Sequence, residues 1–283
     1  MDIKAYAKIN LGLYIIGKRP DGFHNIETIF YHIDLFDELH LSTANDISIS
    51  CSNPKIPTDS NNLCWKAAEL LQNELNTTNG VKITLTKNIP IGAGLGGGSS
   101  DAASILQRLP TLWNKQVHPS LLKKIALKLG SDVPFFLSNS SAYAEGRGEI
   151  LQNVVLTLPY WIVLVNPQIH VSTPWAYKIL SEKRNGIFSA PQRLLDQFSQ
   201  APIQTILNSK NDFEEVVFKE FPKIKKIKDQ LSEFGAVLSL MSGSGSSVFG
   251  LFENELSAQS AVEYFQKEYF VHITEPNFSI LPK

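Results

Sequence analysis

The chain has 283 residues, 43% of them hydrophobic, enough for one large domain or two modest ones with ordinary cores. A formal net charge of −1 and 19% charged residues give no bulk attraction to nucleic acid or to an anionic membrane, so any anion must be bound locally. Cys51 and Cys64 form no CxxC or Cys/His cluster, and the longest early apolar run, residues 11–16, is broken by Gly12 between Lys8 and Lys18. Neither a disulfide framework nor a zinc site is indicated, the run is far short of a signal core or a membrane span, and a soluble cytoplasmic protein is expected.

Residues 3–16 alternate, with Ile3, Ala5, Ala7, Ile9, Leu11, Leu13 and Ile15 on one face and Lys4, Tyr6, Lys8, Asn10 and Tyr14 on the other. That period predicts a half-buried strand. Further strands are expected over 26–35, 47–51 and 81–87, and helices over 63–75, 102–109 and 121–129, the last stopped by Gly130. A buried strand over 161–165 opens the second half. Residues 181–209, with Asn185-Gly186, Pro191 and Pro202, read as irregular connections between short helices. Order returns with a helix from Lys223 that turns Ile224, Ile227, Leu231 and Phe234 inward. Strands over 236–241 and 248–252, a helix over 256–269 and a strand over 270–274 follow. With the 161–165 strand these make a β-α-β-β-α-β, ferredoxin-like outline, and two domains are expected, over 1–155 and 156–283.

The segment from Pro90 to Ala103 limits the chemistry most. Five of the seventeen glycines fall between Gly92 and Gly98, which makes sense only where the backbone must take positive φ or lie against something a β-carbon would obstruct. Placed between a strand and a helix, the segment reads as a nucleotide phosphate cradle, its N–H groups and the helix dipole converging on an anion. Gly92, Gly94 and Gly97 satisfy G-x-G-x-x-G, yet after Asp101 the next acid is Asp132, too far on for a dinucleotide-binding unit. No Gly-Lys-Ser/Thr closes a P-loop, and the Val-Ala-Ile-Lys, His-Arg-Asp and Asp-Phe-Gly elements of protein kinases are missing. Asp101, at the helix start, would repel phosphate unless it turns away or meets a cation.

Three further segments add to this. Lys8 and Asn10 share a strand face, where Lys8 is either a solvent-facing lysine or a cation for developing phosphate charge. Asp132, in the run from Gly130 to Phe136, reads alone as an N-cap, and Met241 to Ser247 reads alone as a glycine-serine turn.

Taken together, the Lys8–Leu11 strand, the 90–103 loop and the 242–247 turn resemble, in order and spacing, the three signature motifs of the GHMP small-molecule kinases, over residues 5 to 252. The resemblance implies an α/β two-domain kinase, with an N-terminal unit like ribosomal protein S5 domain 2 and a C-terminal ferredoxin-like unit. It implies ATP as co-substrate with Mg2+, and phosphates held by Pro90, Gly92, Gly94, Leu95, Gly96, Gly97, Gly98, Ser99 and Ser100. The two serines would give hydroxyl donors or a magnesium contact; the metal ligands stay open. Asp132 would be the base or hydroxyl-orienting group and Lys8 its cationic partner, since a tertiary alcohol needs a carboxylate within reach.

Within the family, the stretches 19–28, 96–103 and 131–136 are similar to members acting on a cytidine-diphosphate-linked polyol. That likeness implies Phe23 stacking on cytosine, His24 bonding its edge, Asn10 at the substrate, and Thr173 and Tyr177 lining the far side, with Trp175 or Tyr177 as the second ring. A monomer or weak homodimer acting on small molecules is expected. The alternatives are a homoserine or mevalonate type of kinase, a mevalonate-diphosphate type of decarboxylase, or a non-catalytic relative.

Overall fold

The structure, a computed structural model, describes residues 1–188 and 193–280. In chain order come β1 (Asp2–Lys18), β2 (His24–Ala44), β3 (Ile47–Cys51), α1 (Leu63–Leu75), β4 (Gly80–Thr86), α2 (Gly97–Leu112) and α3 (Pro119–Leu129). A 3-10 turn (Val133–Leu137), β5 (Ala142–Glu145), β6 (Ile150–Asn153), β7 (Trp161–Asn166), α4 (Thr173–Lys183), α5 (Leu194–Gln200), α6 (Pro202–Leu207) and α7 (Glu214–Glu220) follow. The chain closes with α8 (Pro222–Glu233), β8 (Leu238–Met241), β9 (Val248–Phe252), α9 (Glu255–Phe265) and β10 (Phe270–Thr274). Among the described residues no helix is long and apolar enough to cross a membrane. Pro191, expected at an irregular connection, lies outside the described residues.

Two compact units emerge: one of residues 1–7, 35–91 and 96–139, the other of residues 8–34, 92–95 and 140–283. In the first, β3 pairs parallel to β4, with Ile47 opposite Val81, and β4 pairs antiparallel to the second half of β2, with Glu38 opposite Thr86. Its core joins Val81, Ile83 and Leu85 to Ala67, Ala68 and Leu71 of α1, Ile105, Leu106 and Leu109 of α2, and Ile125 of α3, all buried. Asn62 caps α1 by accepting from the Cys64 N–H, and His118 caps α3 from Ser120 N–H.

In the second unit β10, β7, β9 and β8 form one sheet in that order, every pair antiparallel. Numbered along the chain this is the 4-1-3-2 order of a ferredoxin-like sheet, with α8 and α9 as its helices and α4 to α7 inserted after the first strand. The expected inward face of α8 is observed at Ile224, Ile227 and Leu231, each fully buried. The first half of β2 pairs with β5, Thr28 opposite Ala144, and β5 pairs with β6.

Several boundaries differ from the sequence reading. β2 runs well past residue 35, to Ala44, with Asp37 fully buried in the strand. The helix expected from residue 102 starts at Gly97, within the glycine segment. α9 stops at Phe265 and β8 begins at Leu238. Gly130 does end α3, but in extended backbone with φ 167°, not the left-handed conformation.

Candidate active site

In the second unit residues 92–95 of the glycine segment meet the Lys8–Leu11 strand and the 242–247 turn. Lys8, only 4% exposed, donates from Nζ to Asn10 Oδ1 at 2.6 Å and to the Gly94 carbonyl at 3.2 Å. Its ammonium also lies 5.0 Å from the centroid of Phe30. A solvent-facing lysine is therefore not what the structure holds. Its backbone N–H donates to Leu95 O at 3.0 Å. Asn10 donates from Nδ2 to Thr28 Oγ1, whose hydroxyl donates in turn to Gly12 O. The Asn10 N–H reaches Ser242 Oγ at 3.2 Å, and that hydroxyl donates to Gly94 O at 2.9 Å. Strand, glycine segment and glycine-serine turn are thus one hydrogen-bonded network. Its members satisfy one another in a buried setting, where an unmade bond is costly.

Glycine is required at the crossing. Gly94 has φ +79°, and a β-carbon there would lie 2.0 Å from Ser242 O; Gly243, at φ +57°, would place one 3.2 Å from Gly94 Cα. Gly92 and Gly96 also take positive φ, so the run of glycines answers a backbone need as well as a steric one.

In the first unit Gly96 is the N-cap of α2 and makes no side-chain capping bond. The leading N–H groups, from Gly97 onward, lack intrahelical acceptors by helix geometry and point their dipole outward, as an anion site requires. Ser99 and Gly98 lie in this first turn. Ser100 is buried and donates its hydroxyl to Tyr6 O at 2.7 Å, so its proton holds β1 to α2 and is not offered to a ligand. Pro90 precedes the segment, its neighbour Ile91 exposed. Asp132 occupies the N-cap position of the 3-10 turn, half-buried, with no side-chain capping bond.

Asp101 meets both conditions that its place at a helix start demands. It is 2% exposed, and its Oδ2 accepts from Lys87 Nζ at 2.8 Å. The same ammonium donates to Asp37 Oδ2. Burial pushes the Asp101 carboxyl up to about 7, with Lys87 pulling it down and Asp37 adding to the rise. Lys87 is held above its ordinary value by the two carboxylates, which outweigh the opposing effect of its burial.

The other expected binding residues separate into distinct environments. Phe23 is 53% exposed and carries the Arg147 guanidinium 4.8 Å from its ring centroid. His24 is buried, stacked on Tyr177 at 4.7 Å and 13°, with Nε2 paired to Ser181 Oγ at 2.7 Å. Burial holds its imidazole below the ordinary value, and Lys18 adds to that effect. Trp175 packs edge-on against Phe221, and Thr173 Oγ1 pairs with Ser244 Oγ at 2.7 Å.

The sequence matches the GHMP kinases N terminal domain over residues 62–140 and the GHMP kinases C terminal domain over 193–272. The chain belongs to the GHMP kinases. This GHMP kinase is 45% identical over 278 residues, 98% of its own length and 97% of the relative's, to a 4-diphosphocytidyl-2-C-methyl-D-erythritol kinase of Pelodictyon phaeoclathratiforme. It is also 45% identical to one of Chlorobium phaeobacteroides, over 99% of both chains. The crystal structure of a 4-(cytidine 5'-diphospho)-2C-methyl-D-erythritol kinase superposes with a TM-score of 0.82 at 34% identity, covering 97% of this chain and 98% of that one. A mevalonate kinase, with a TM-score of 0.70 but 16% identity, shares the fold. As a GHMP kinase the protein takes ATP as its phosphoryl donor.

Asn211 went unread in the sequence of this GHMP kinase. From the connection after α6 it donates through Nδ2 to Met241 O at 2.7 Å and Gly243 O at 2.8 Å, fixing the glycine-serine turn from behind. A lone Asn before Asp212 in a polar stretch carries no periodicity or motif, so only the fold reveals it. Thr28 and Lys87 were likewise invisible, since each acts through a residue distant in sequence.

Proposed function

We propose that this GHMP kinase transfers the γ-phosphate of ATP to the 2-hydroxyl of 4-diphosphocytidyl-2-C-methyl-D-erythritol, a step of the non-mevalonate route to isoprenoids. The observation that carries the reading is near-full-length identity of 45% to relatives of that name. Homoserine and mevalonate kinases share the fold at 19% identity or less, which supports no substrate.

Phosphoryl transfer is mostly positioning and charge stabilisation. In this reading the backbone N–H groups of residues 92–98 and the start of α2 hold the ATP phosphates, with Ser99 adding a hydroxyl. Asp132 orients the tertiary hydroxyl and takes its proton, and Lys8 stabilises the charge developing on the transferred group. Phe23 stacks on the cytosine, His24 meets its edge, and Asn10, Thr173 and Tyr177 complete the acceptor site.

Mg2+ enters with ATP. Such an ion is carried on phosphate oxygens and water with one or two protein oxygens. Asp132 would give it a carboxylate oxygen, and the ion would neutralise phosphate charge. We also propose a division at residues 155 and 156, supported by family matches on either side of it, a cytoplasmic location, and a monomer or weak homodimer.

The test is ADP release from ATP with magnesium, comparing 4-diphosphocytidyl-2-C-methyl-D-erythritol with homoserine, mevalonate, galactose and no acceptor. Turnover confined to the cytidine-linked alcohol is expected. Turnover on another alcohol keeps the kinase and removes the acceptor assignment, and carbon dioxide release from mevalonate diphosphate replaces the reaction altogether.

A further inference from the structure

The buried ion cluster of the first unit has no place in the transfer chemistry described so far. Lys87 follows β4, Asp37 lies in β2 and Asp101 in α2, and their side chains are 5%, 0% and 3% exposed. Asp37 Oδ1 accepts from the backbone N–H of Asn88 at 2.6 Å and of Ile89 at 2.9 Å, the residues that lead into the glycine segment. Asp37 Oδ2 and Asp101 Oδ2 share the Lys87 ammonium. One carboxylate therefore grips the chain entering the segment, the other belongs to the helix leaving it, and a single cation joins them. The joint also touches the segment itself: a β-carbon on Gly97 would lie 3.0 Å from Ile89 Cγ2 and 3.3 Å from Lys87 Nζ.

We propose that Lys87 and Asp101 are positioning residues for the nucleotide, tying the approach to the glycine segment to the first turns of α2 so that its N–H groups are set for a triphosphate before it binds. The proposal rests on reading residues 92–98 as the nucleotide cradle. Positive-φ glycines leave such a segment free to reorganise, and donors aimed at an anion gain most when both ends of their support are fixed. A purely structural ion cluster would influence folding alone. A positioning cluster governs ATP affinity.

D101A removes the tie without stranding a charge, since Lys87 keeps Asp37 and Asp37 keeps its two backbone donors. D101N restores an oxygen acceptor for Lys87. The expected result is a rise of about tenfold in KM for ATP and in the Kd of AMP-PNP by calorimetry for D101A, with kcat and the acceptor KM close to wild type and most of the loss recovered in D101N. K87M, which leaves two buried carboxylates facing each other, should lose both nucleotide affinity and thermal stability. Wild-type AMP-PNP affinity in folded D101A overturns the proposal, as does an equal loss for both substrates. Wild-type protein that fails to bind AMP-PNP overturns the nucleotide reading and the proposal with it.

Discussion

Gly94 and Ser242 cross so closely that a β-carbon on Gly94 would sit 2.0 Å from the Ser242 carbonyl oxygen, while the Ser242 hydroxyl donates to the Gly94 carbonyl at 2.9 Å. The contact binds two segments almost 150 positions apart, a sequence separation of 148, and the Gly94 carbonyl also accepts from the Lys8 ammonium. Gly94→Ala meets both a φ of +79° and a backbone clash, neither of which a rotamer change can relieve. Steady-state kinetics should show a loss of at least two decades in kcat/KM, equivalent to about 2.7 kcal/mol. A variant with wild-type kinetics would mean that the crossing yields at no cost and plays no part in placing Lys8.

Lys8→Met and Asp132→Asn address the chemistry itself. Methionine keeps the bulk of the buried lysine stem while removing the donor to Asn10 and Gly94. Asparagine keeps the shape of Asp132 and removes its basicity. Each is expected to lower kcat by about two or more decades, the usual effect of losing a positioned acid–base or charge-stabilising group. Unfolding followed by circular dichroism separates this from loss of fold. Near-normal turnover in both folded variants removes them from the catalytic roles.

The reach of the sequence is uneven for a physical reason. Patterns made by neighbours were legible: the apolar runs of β7 and β9, the 3.6-residue face of α8, and the glycines whose spacing called for positive φ. Partners made by the fold were not. Asp37 is fully buried, and Lys87 and two backbone N–H groups some fifty positions later satisfy it. His24 is buried by partners some 150 positions away, with Tyr177 stacked on it and Ser181 Oγ paired to its Nε2. Asp101 seemed ill-placed beside phosphate only because its cation could not be seen.

Phe23 is a large aromatic residue left half exposed, with Arg147 against its ring. An exposed ring so supported suits a stacking surface, and base stacking is worth about 1–3 kcal/mol. Phe23→Ala should therefore raise KM for the cytidine-linked acceptor about tenfold, the equivalent of roughly 1.4 kcal/mol, and leave KM for ATP unchanged. Initial-rate measurements at saturating concentration of the other substrate distinguish the two. A rise confined to ATP would place Phe23 on the wrong side of the reaction.

The upward shift of the buried Asp101 carboxyl sets the sign expected for a pH dependence of stability. Burial carries it from 3.8 in an ordinary setting to about 7 in the fold. Between those values the folded chain keeps a proton that the unfolded chain has lost, so stability falls as pH rises. Its contribution is complete below about pH 4, lost as pH climbs through about 7, and constant above that. Asp101→Asn carries no titrating proton at this position and retains the acceptor for Lys87. Urea unfolding of both proteins between about pH 4.5 and 8 should show the wild type losing stability relative to the variant as pH rises, with the difference levelling off above neutrality. A difference that stays flat, or that grows in favour of the wild type with rising pH, would mean that Asp101 is ionised throughout. The Lys87 ammonium would then be answering two full negative charges.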